Sequence, residues 1–388
     1  MKASAIHQFS YPNPLSTRRS FLVLAAGGSV ALATGLRFGA AAQSTYEGGE
    51  QINSTSATYE GGTYAVEAED GYLYQYATST DGYAYYNAYD GTSWQGWTQA
   101  GEQTVGWDPA PVAYDGKSHA YYTGGDEYIY QLSYDSYGDA QWENVSGDYT
   151  YQAAPYATTW QDSVYLYGVA TDGYVYHKPY TGGTWGEWEA LNEADAPAKT
   201  DSKPYSVSWG DHENTFWLGD DGYVYWNRYN YADGTWTGAK QIPSDYQIKT
   251  VPYAVGYAPE ESLYAYSANA DGAPIYNVFK EGDGWAGWQP LEASWTTSYQ
   301  PSAYYYQDYQ HVVYVADGGN AYYKQYGADG WSDWQDLGGN YGYDAYQYEY
   351  DGNLYLTYTG EDGGIYYKSY AADGAGAVEP TATEDDGY

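Results

Sequence analysis

The chain carries 51 acidic against 14 basic side chains in 388 residues, a formal charge of −37, and it has no cysteine. Disulfides and thiolate metal centres are therefore excluded, stability must come from packing, and the lack of a basic stripe excludes nucleic acid as a partner. One residue in five is aromatic and 57 are tyrosine, too many to belong to any one site.

In chain order, the first element is an address. Thr17-Arg18-Arg19-Ser20-Phe21-Leu22 resembles the twin-arginine export motif, with an apolar run over 21–36 behind it and Ala40-Ala41-Ala42 as the cleavage site. That run is shorter than the ~20 residues a spanning helix needs, so no stable membrane span is expected once the signal is removed. Export of a folded protein to the outside of the cell follows as the expected localisation. Residues 1–42 hold four of the 14 basic side chains and none of the acids, so the remainder carries ten against 51, or −41. Self-repulsion of that size is tolerable where salt shortens the Debye length to roughly 3 Å at 1 M, which points to high-salt surroundings.

The body of the chain is one unit repeated seven times. Its marker is an aspartate at Asp81, Asp126, Asp172, Asp221, Asp271, Asp317 and Asp362, spaced 45 to 50 residues apart and followed by glycine except at Glu127. In the third copy, alternating aromatic runs on either side of Asp172-Gly173 read as a hairpin. Pro155-Tyr-Ala-Thr-Thr-Trp160 supplies a strand before it, and Trp185-Gly-Glu-Trp188-Glu-Ala-Leu191 one after it. Four strands per repeat at this period predict an all-β fold, a seven-bladed β-propeller of four-stranded antiparallel blades. Pro111, Pro155, Pro204, Pro252 and Pro301 open copies, where a missing N–H suits a strand start. The seventh copy lacks its fourth strand, and the stretch 44–58 is expected to supply it and close the ring, because closure removes two open sheet edges. The expected division is thus a twin-arginine signal peptide over 1–42, the propeller over 43–374 and a disordered acidic tail over 375–388.

The fourth strand carries Trp-x-x-Trp as Trp94/Trp97, Trp185/Trp188, Trp285/Trp288 and Trp331/Trp334, with half of it kept at Trp142 and at Trp236. A spacing of three along a strand points two side chains to opposite faces, so one indole can pack while the other lines a groove. The first of each pair, Trp94, Trp185, Trp236, Trp285 and Trp331, is expected to contact ligand. Most tyrosines alternate within strands and are read as packing between blades.

The blocks Gly319-Asn-Ala-Tyr-Tyr-Lys-Gln-Tyr-Gly-Ala-Asp-Gly-Trp331-Ser-Asp-Trp334 and Gly173-Tyr-Val-Tyr-His-Lys with Trp185-Gly-Glu-Trp188 resemble the repeats of fucose-binding propeller lectins, of the fungal and the bacterial seven-bladed types. The resemblance spans roughly residues 60–370 and implies sugar held between adjacent blades, stacked on an aromatic ring and gripped by an Arg or Lys and a carboxylate. Lys178, Lys324 and Lys368 occupy one repeat position, and Arg228 and Lys280 lie close to it. These five are the candidate donors to sugar hydroxyls, with surface charge pairing as the plain alternative. Copies one and two offer Asn87 and Leu132 there, and Arg228 is the only arginine outside 1–42, a departure from the lectin pattern.

Catalysis has less support. A sialidase needs several arginines for its substrate carboxylate. A two-carboxylate glycoside hydrolase stays open because 51 acids hide any pair. The histidines His119, His177, His212 and His311 sit at unlike repeat positions, so neither a metal nor a cofactor is expected. The function expected is binding of cell-surface or extracellular glycans at several inter-blade sites. The alternatives are a cell-surface scaffold for protein interaction, whose partners are surface proteins, and a propeller glycoside hydrolase.

Overall fold

The computed structural model describes residues 45–52, 57–68, 70–134, 140–192 and 199–371, so the expected signal peptide 1–42 and tail 375–388 lie outside the described residues. Seven antiparallel sheets follow one another along the chain, over 59–104, 110–144, 156–190, 205–241, 253–290, 302–336 and 341–371, here blades 1 to 7. The first strand of every blade packs against the first strands of its two neighbours. Tyr59–Glu67 of blade 1 meets Tyr341–Tyr350 of blade 7, so the ring is closed. The closing strand is N-terminal, as expected: Thr45–Gln51 pairs antiparallel with Ile365–Ala371 as the outer strand of blade 7.

The turn chemistry explains why the marker repeats. In blades 2, 3, 4 and 7 the carboxylates of Asp126, Asp172, Asp221 and Asp362 each accept two hydrogen bonds. One comes from the backbone N–H two residues on, at 2.9–3.4 Å, and the other from the phenol four residues on, at 2.6–2.9 Å. The Asp side chain thus closes the turn and ties it to the outgoing strand. The next residue is left-handed, with Gly173 at φ +84°, which glycine adopts without strain; Glu127 takes that conformation in blade 2 at φ +69°. Blade 6 departs from the register. Gly319 closes its turn by bonding Ala316 O, and Asp317 stands one residue early, accepting the Thr296 hydroxyl at 2.7 Å.

Six first-strand tyrosines, Tyr64, Tyr156, Tyr205, Tyr253, Tyr304 and Tyr346, cluster at the centre of the ring, with Tyr205 against Tyr253 at 4.3 Å between ring centroids and Tyr64 against Tyr346 at 5.0 Å. On the side where the first strands begin lies a polar funnel of about 580 Å³. There Lys203 Nζ donates to Tyr64 OH at 2.7 Å and stands 4.0 Å from Asp108, and burial pushes the Asp344 carboxyl up to about 6. On the side where these strands end, a second hollow is walled by aromatic rings.

Candidate functional site

Trp-x-x-Trp does not send its indoles to opposite faces, which corrects the expectation from spacing. In blade 3, Trp185 pairs with Tyr180 and Glu189 with His177, so four steps on the outer strand match three on its partner. One extra residue makes a bulge, and a spacing of three then behaves as a spacing of two. Blades 4, 5 and 6 repeat this split of the fourth strand. Where the pair is complete, both indoles can turn to the preceding blade.

The second indole is an inter-blade rivet in four blades, whereas the buried N–H of Trp288 in blade 5 has no partner among the described residues. The ring N–H donates to a backbone carbonyl near the end of the preceding blade in four places: Trp97 to Ile52 at 2.9 Å, Trp142 to Ala100 at 2.7 Å, Trp188 to Ser146 at 3.1 Å and Trp334 to Leu291 at 3.1 Å. Each bond joins the outer end of one blade to the next, where the blades of a propeller diverge.

The five first indoles are all half-buried. Trp185 stands edge-on to Tyr121 of blade 2 at 5.9 Å, and Trp285 reaches Phe216 and Trp226 of blade 4 at 5.9 and 5.7 Å. Trp331 meets Tyr266 and Tyr276 of blade 5 at 6.0 and 5.6 Å. Trp94 packs on Tyr89 at 5.3 Å. Trp236 donates its N–H to His177 Nε2 of blade 3 at 3.0 Å, a bond that requires the neutral ring which burial favours there. Each first indole therefore packs in part against its neighbours and keeps some surface open to solvent.

The cations fall into three arrangements. Lys178 lies 5.7 and 5.6 Å from the ring centroids of Trp185 and Trp188 and donates to Val145 O of blade 2 at 2.8 Å. Lys324 stands likewise 5.9 and 5.1 Å from Trp331 and Trp334. Lys368, in blade 7, donates to Gly48 O of the closing strand at 2.9 Å. Burial pulls all three ammonium groups below the ordinary lysine range. The lysine and its tryptophans thus belong to one blade. In blades 1 and 5 the same register position holds Asn87 and Asn277, whose Oδ1 accepts the N–H of Gly96 and Gly287 in the bulge, both at 2.9 Å. In these two blades the position latches the fourth strand, whereas Lys178 reaches the backbone of the preceding blade and Lys368 that of the closing strand in its own blade.

Arg228 and Lys280 are set differently. The Arg228 side chain, 8% exposed, forms an ion pair across the blade boundary with Glu281 of blade 5, which is 58% exposed. Its guanidinium lies 5.8 Å from the Trp209 ring and 5.3 Å from Phe279, and Phe279 in turn packs on Trp285 at 5.4 Å. The Arg228 hydrogen bond holds the Glu281 carboxyl below its usual range, while burial, and then Arg228, push His212 down. Lys280 is exposed and bonds Glu260 at 3.4 Å. Glu260 also accepts the phenols of Tyr326 at 2.7 Å and Tyr264 at 3.1 Å, at the junction of blades 5 and 6. Those bonds outweigh the upward pull of burial and keep its carboxyl low.

So a cation and a first indole from adjacent blades are linked between blades 4 and 5, where Arg228 and Trp285 both pack on the buried Phe279. Trp236 and Arg228, both in blade 4, face different neighbours. Sequence spacing missed Glu281, Glu260, His212 and Trp209; the two carboxylates are lost among 51 acids, and Trp209 lies in a first strand.

No family model matches the chain, and no curated protein does. Several solved structures share its fold. The BP39L lectin from Burkholderia pseudomallei superposes with a TM-score of 0.71 at 12% identity, over 82% of this chain and 98% of that one. A PL25 ulvan lyase, a polysaccharide lyase bound to -[GlcA(1-4)Rha3S]-, gives 0.52 at 12% identity, over 80% and 94%. BBS1N in complex with ARL6DN gives 0.56 at 11% identity, over 85% and 98%. A binding protein, an enzyme and a member of a protein complex all share this ring, and the chain is, in its fold, a seven-bladed propeller of the kind seen in BP39L.

Proposed function

We propose that the protein is an exported carbohydrate-binding propeller with several inter-blade sugar sites, suited to high salt. The observation that carries the proposal is the Arg228–Glu281 ion pair between blades 4 and 5, packed through Phe279 against the half-buried Trp285. A pyranose has an apolar C–H face and a rim of hydroxyls. The indole offers the first a stacking surface, and the exposed carboxylate, oriented by the guanidinium, accepts from the second. Trp185 beside Lys178 and Trp331 beside Lys324 are simpler versions of the same chemistry, and Trp94 and Trp236 offer indoles alone. Lys280 and Lys368 would act as donors at the rims. Weak sites fixed around one ring gain avidity from their effective concentration. The fold shared with BP39L supports this function, and the Arg18-Arg19 motif and the charge of −41 outside 1–42 support export and a saline setting.

A glycan array probed in molar salt tests it. Wild-type signal that falls in Trp285→Ala, Trp185→Ala and Trp331→Ala is expected. A cell-surface scaffold would leave the array dark, and turnover of a chromogenic glycoside panel would mark a hydrolase instead.

A further inference from the structure

The hollow at the far end of the axis measures about 620 Å³, inside the range of about 300–1,000 Å³ usual for small-molecule sites. It is asymmetric, built by the first strands of blades 4, 5, 6 and 7. Its walls are Tyr205, Trp209, Tyr253, Tyr304, Tyr305 and Tyr306, and its polar groups include Ser208, Gln307 and Glu349. Trp209 is 6% exposed, and its indole N–H has no partner among the described residues. The neighbouring strand makes room for it. A Cβ at Gly256, which lines the hollow, would come within 2.4 Å of Trp209 Cδ1, so this position needs glycine for the close approach of the indole.

Two aromatic chains lead outward from the hollow. Trp209 passes to Arg228, Phe279 and Trp285 in the cleft between blades 4 and 5. Tyr305 passes to Tyr257 at 5.8 Å, then to Tyr326 at 5.5 Å and Trp331 at 5.0 Å, between blades 5 and 6. The rings of the hollow are thus in packing contact with the first indoles at both blade boundaries, through Phe279 and Tyr257, which are themselves buried. Rings with a few hydrogen-bonding groups suit an occupant of flat C–H faces edged by hydroxyls, repeated along its length. A β-1,4-linked chain of equatorial pyranoses has that chemistry.

We infer that the axial groove is a binding site for a β-1,4-linked glycan chain, so that the ligand is held along its length across the hollow as well as at an inter-blade cleft. This rests on the carbohydrate binding proposed above. Calorimetric titration of the full chain in molar salt with cellobiose and cellohexaose, and with the N-acetylglucosamine dimer and hexamer, tests it. In at least one series the hexamer should bind at least about tenfold more tightly than the dimer, the gain expected from one or two extra stacked rings. Tyr304→Ala should abolish the gain, Tyr304→Phe keep it, and Trp285→Ala weaken both lengths alike. Glu349→Gln is the second variant, and it should reduce the gain with no shift in the unfolding midpoint. Equal affinity at both lengths, or a gain that Tyr304→Ala and Glu349→Gln leave intact, overturns the groove and leaves cleft binding standing. Wild type that binds neither hexamer overturns it outright, whatever the array shows. Hexamer binding that appears only after removal of residues 372–388 would identify the chain's own tail as the occupant and overturn it too.

Discussion

Arg228 in blade 4 and Glu281 in blade 5 form an ion pair that crosses the blade boundary, with the guanidinium almost wholly buried and the carboxylate more than half exposed. Losing the carboxylate would leave a positive charge among aromatic rings with its main partner gone. Glu281→Gln should therefore cost about 1–2 kcal/mol, less than the loss of a fully buried pair because solvent reaches Glu281. The check is the denaturant midpoint at fixed salt, and an unchanged midpoint would show that the rings alone hold Arg228.

The rivets between blades can be tested at Trp188, whose N–H meets Ser146 O at 3.1 Å. Trp188→Phe keeps most of the packing and leaves that carbonyl unpaired, for an expected loss of about 1 kcal/mol. Trp188→Ala removes the ring as well and should cost about 2–4 kcal/mol. Equal losses in the two variants would put all the stabilisation in the hydrogen bond.

His311 gives a pH signature. It is fully buried between blades 6 and 7, its Nε2 facing Tyr306 O at 3.1 Å, and burial pulls its pKa down to about 4. The unfolded chain takes up this proton near pH 6.5, while the folded chain does so only near 4. Stability from this group is therefore complete above about pH 6.5 and falls as the pH drops toward 4, by up to about 3 kcal/mol. Unfolding measured from pH 7.5 to 4.5 should show a shallower slope in His311→Phe than in wild type. Parallel slopes would exclude His311 as the source.

Closure of the ring depends on Thr45–Gln51, which covers the edge of Ile365–Ala371. A chain lacking residues 45–51 should expose that edge and lose the Tyr46 ring from its contact with Tyr323. Size-exclusion chromatography should show dimers or larger species, and thermal unfolding should lose cooperativity. A monomer with wild-type melting would mean that six blades and a three-stranded seventh are sufficient.

Salt should act through the net charge. At −41 outside residues 1–42, dilution from molar to roughly 0.01 M salt lengthens the screening distance from about 3 to about 30 Å. The melting temperature should rise steadily with KCl, and an uncharged osmolyte should not reproduce the low-salt part of the rise. A flat salt profile would remove the high-salt proposal.

Much of the architecture was legible in the residue order because its causes are local. Asp172 accepting from the Tyr174 N–H and the Tyr176 phenol needs nothing beyond five consecutive residues, so this unit can be counted along the chain wherever it recurs. The missing fourth strand of the seventh copy likewise pointed to the stretch that now pairs with Ile365–Ala371. The direction of the indoles was not legible. Alternation assumes an unbroken strand, and the bulge after Trp185 exists because its pairing with Tyr180 slips by one residue before Glu189 meets His177.

The seven copies, the marker turns of blades 2, 3, 4 and 7, the partly kept tryptophan pairs and the origin of the closing strand follow from short-range spacing alone. Which residues share a cleft does not, because Arg228 and Glu281 are 53 positions apart and meet through the angle at which two blades splay. Nor does the aromatic hollow, since Trp209, Tyr253 and Tyr304 look like any other strand aromatics until the closed ring brings three first strands side by side. Spacing along one strand reports its own pleat and its own turns, whereas a site between blades depends on how separate sheets are turned against each other.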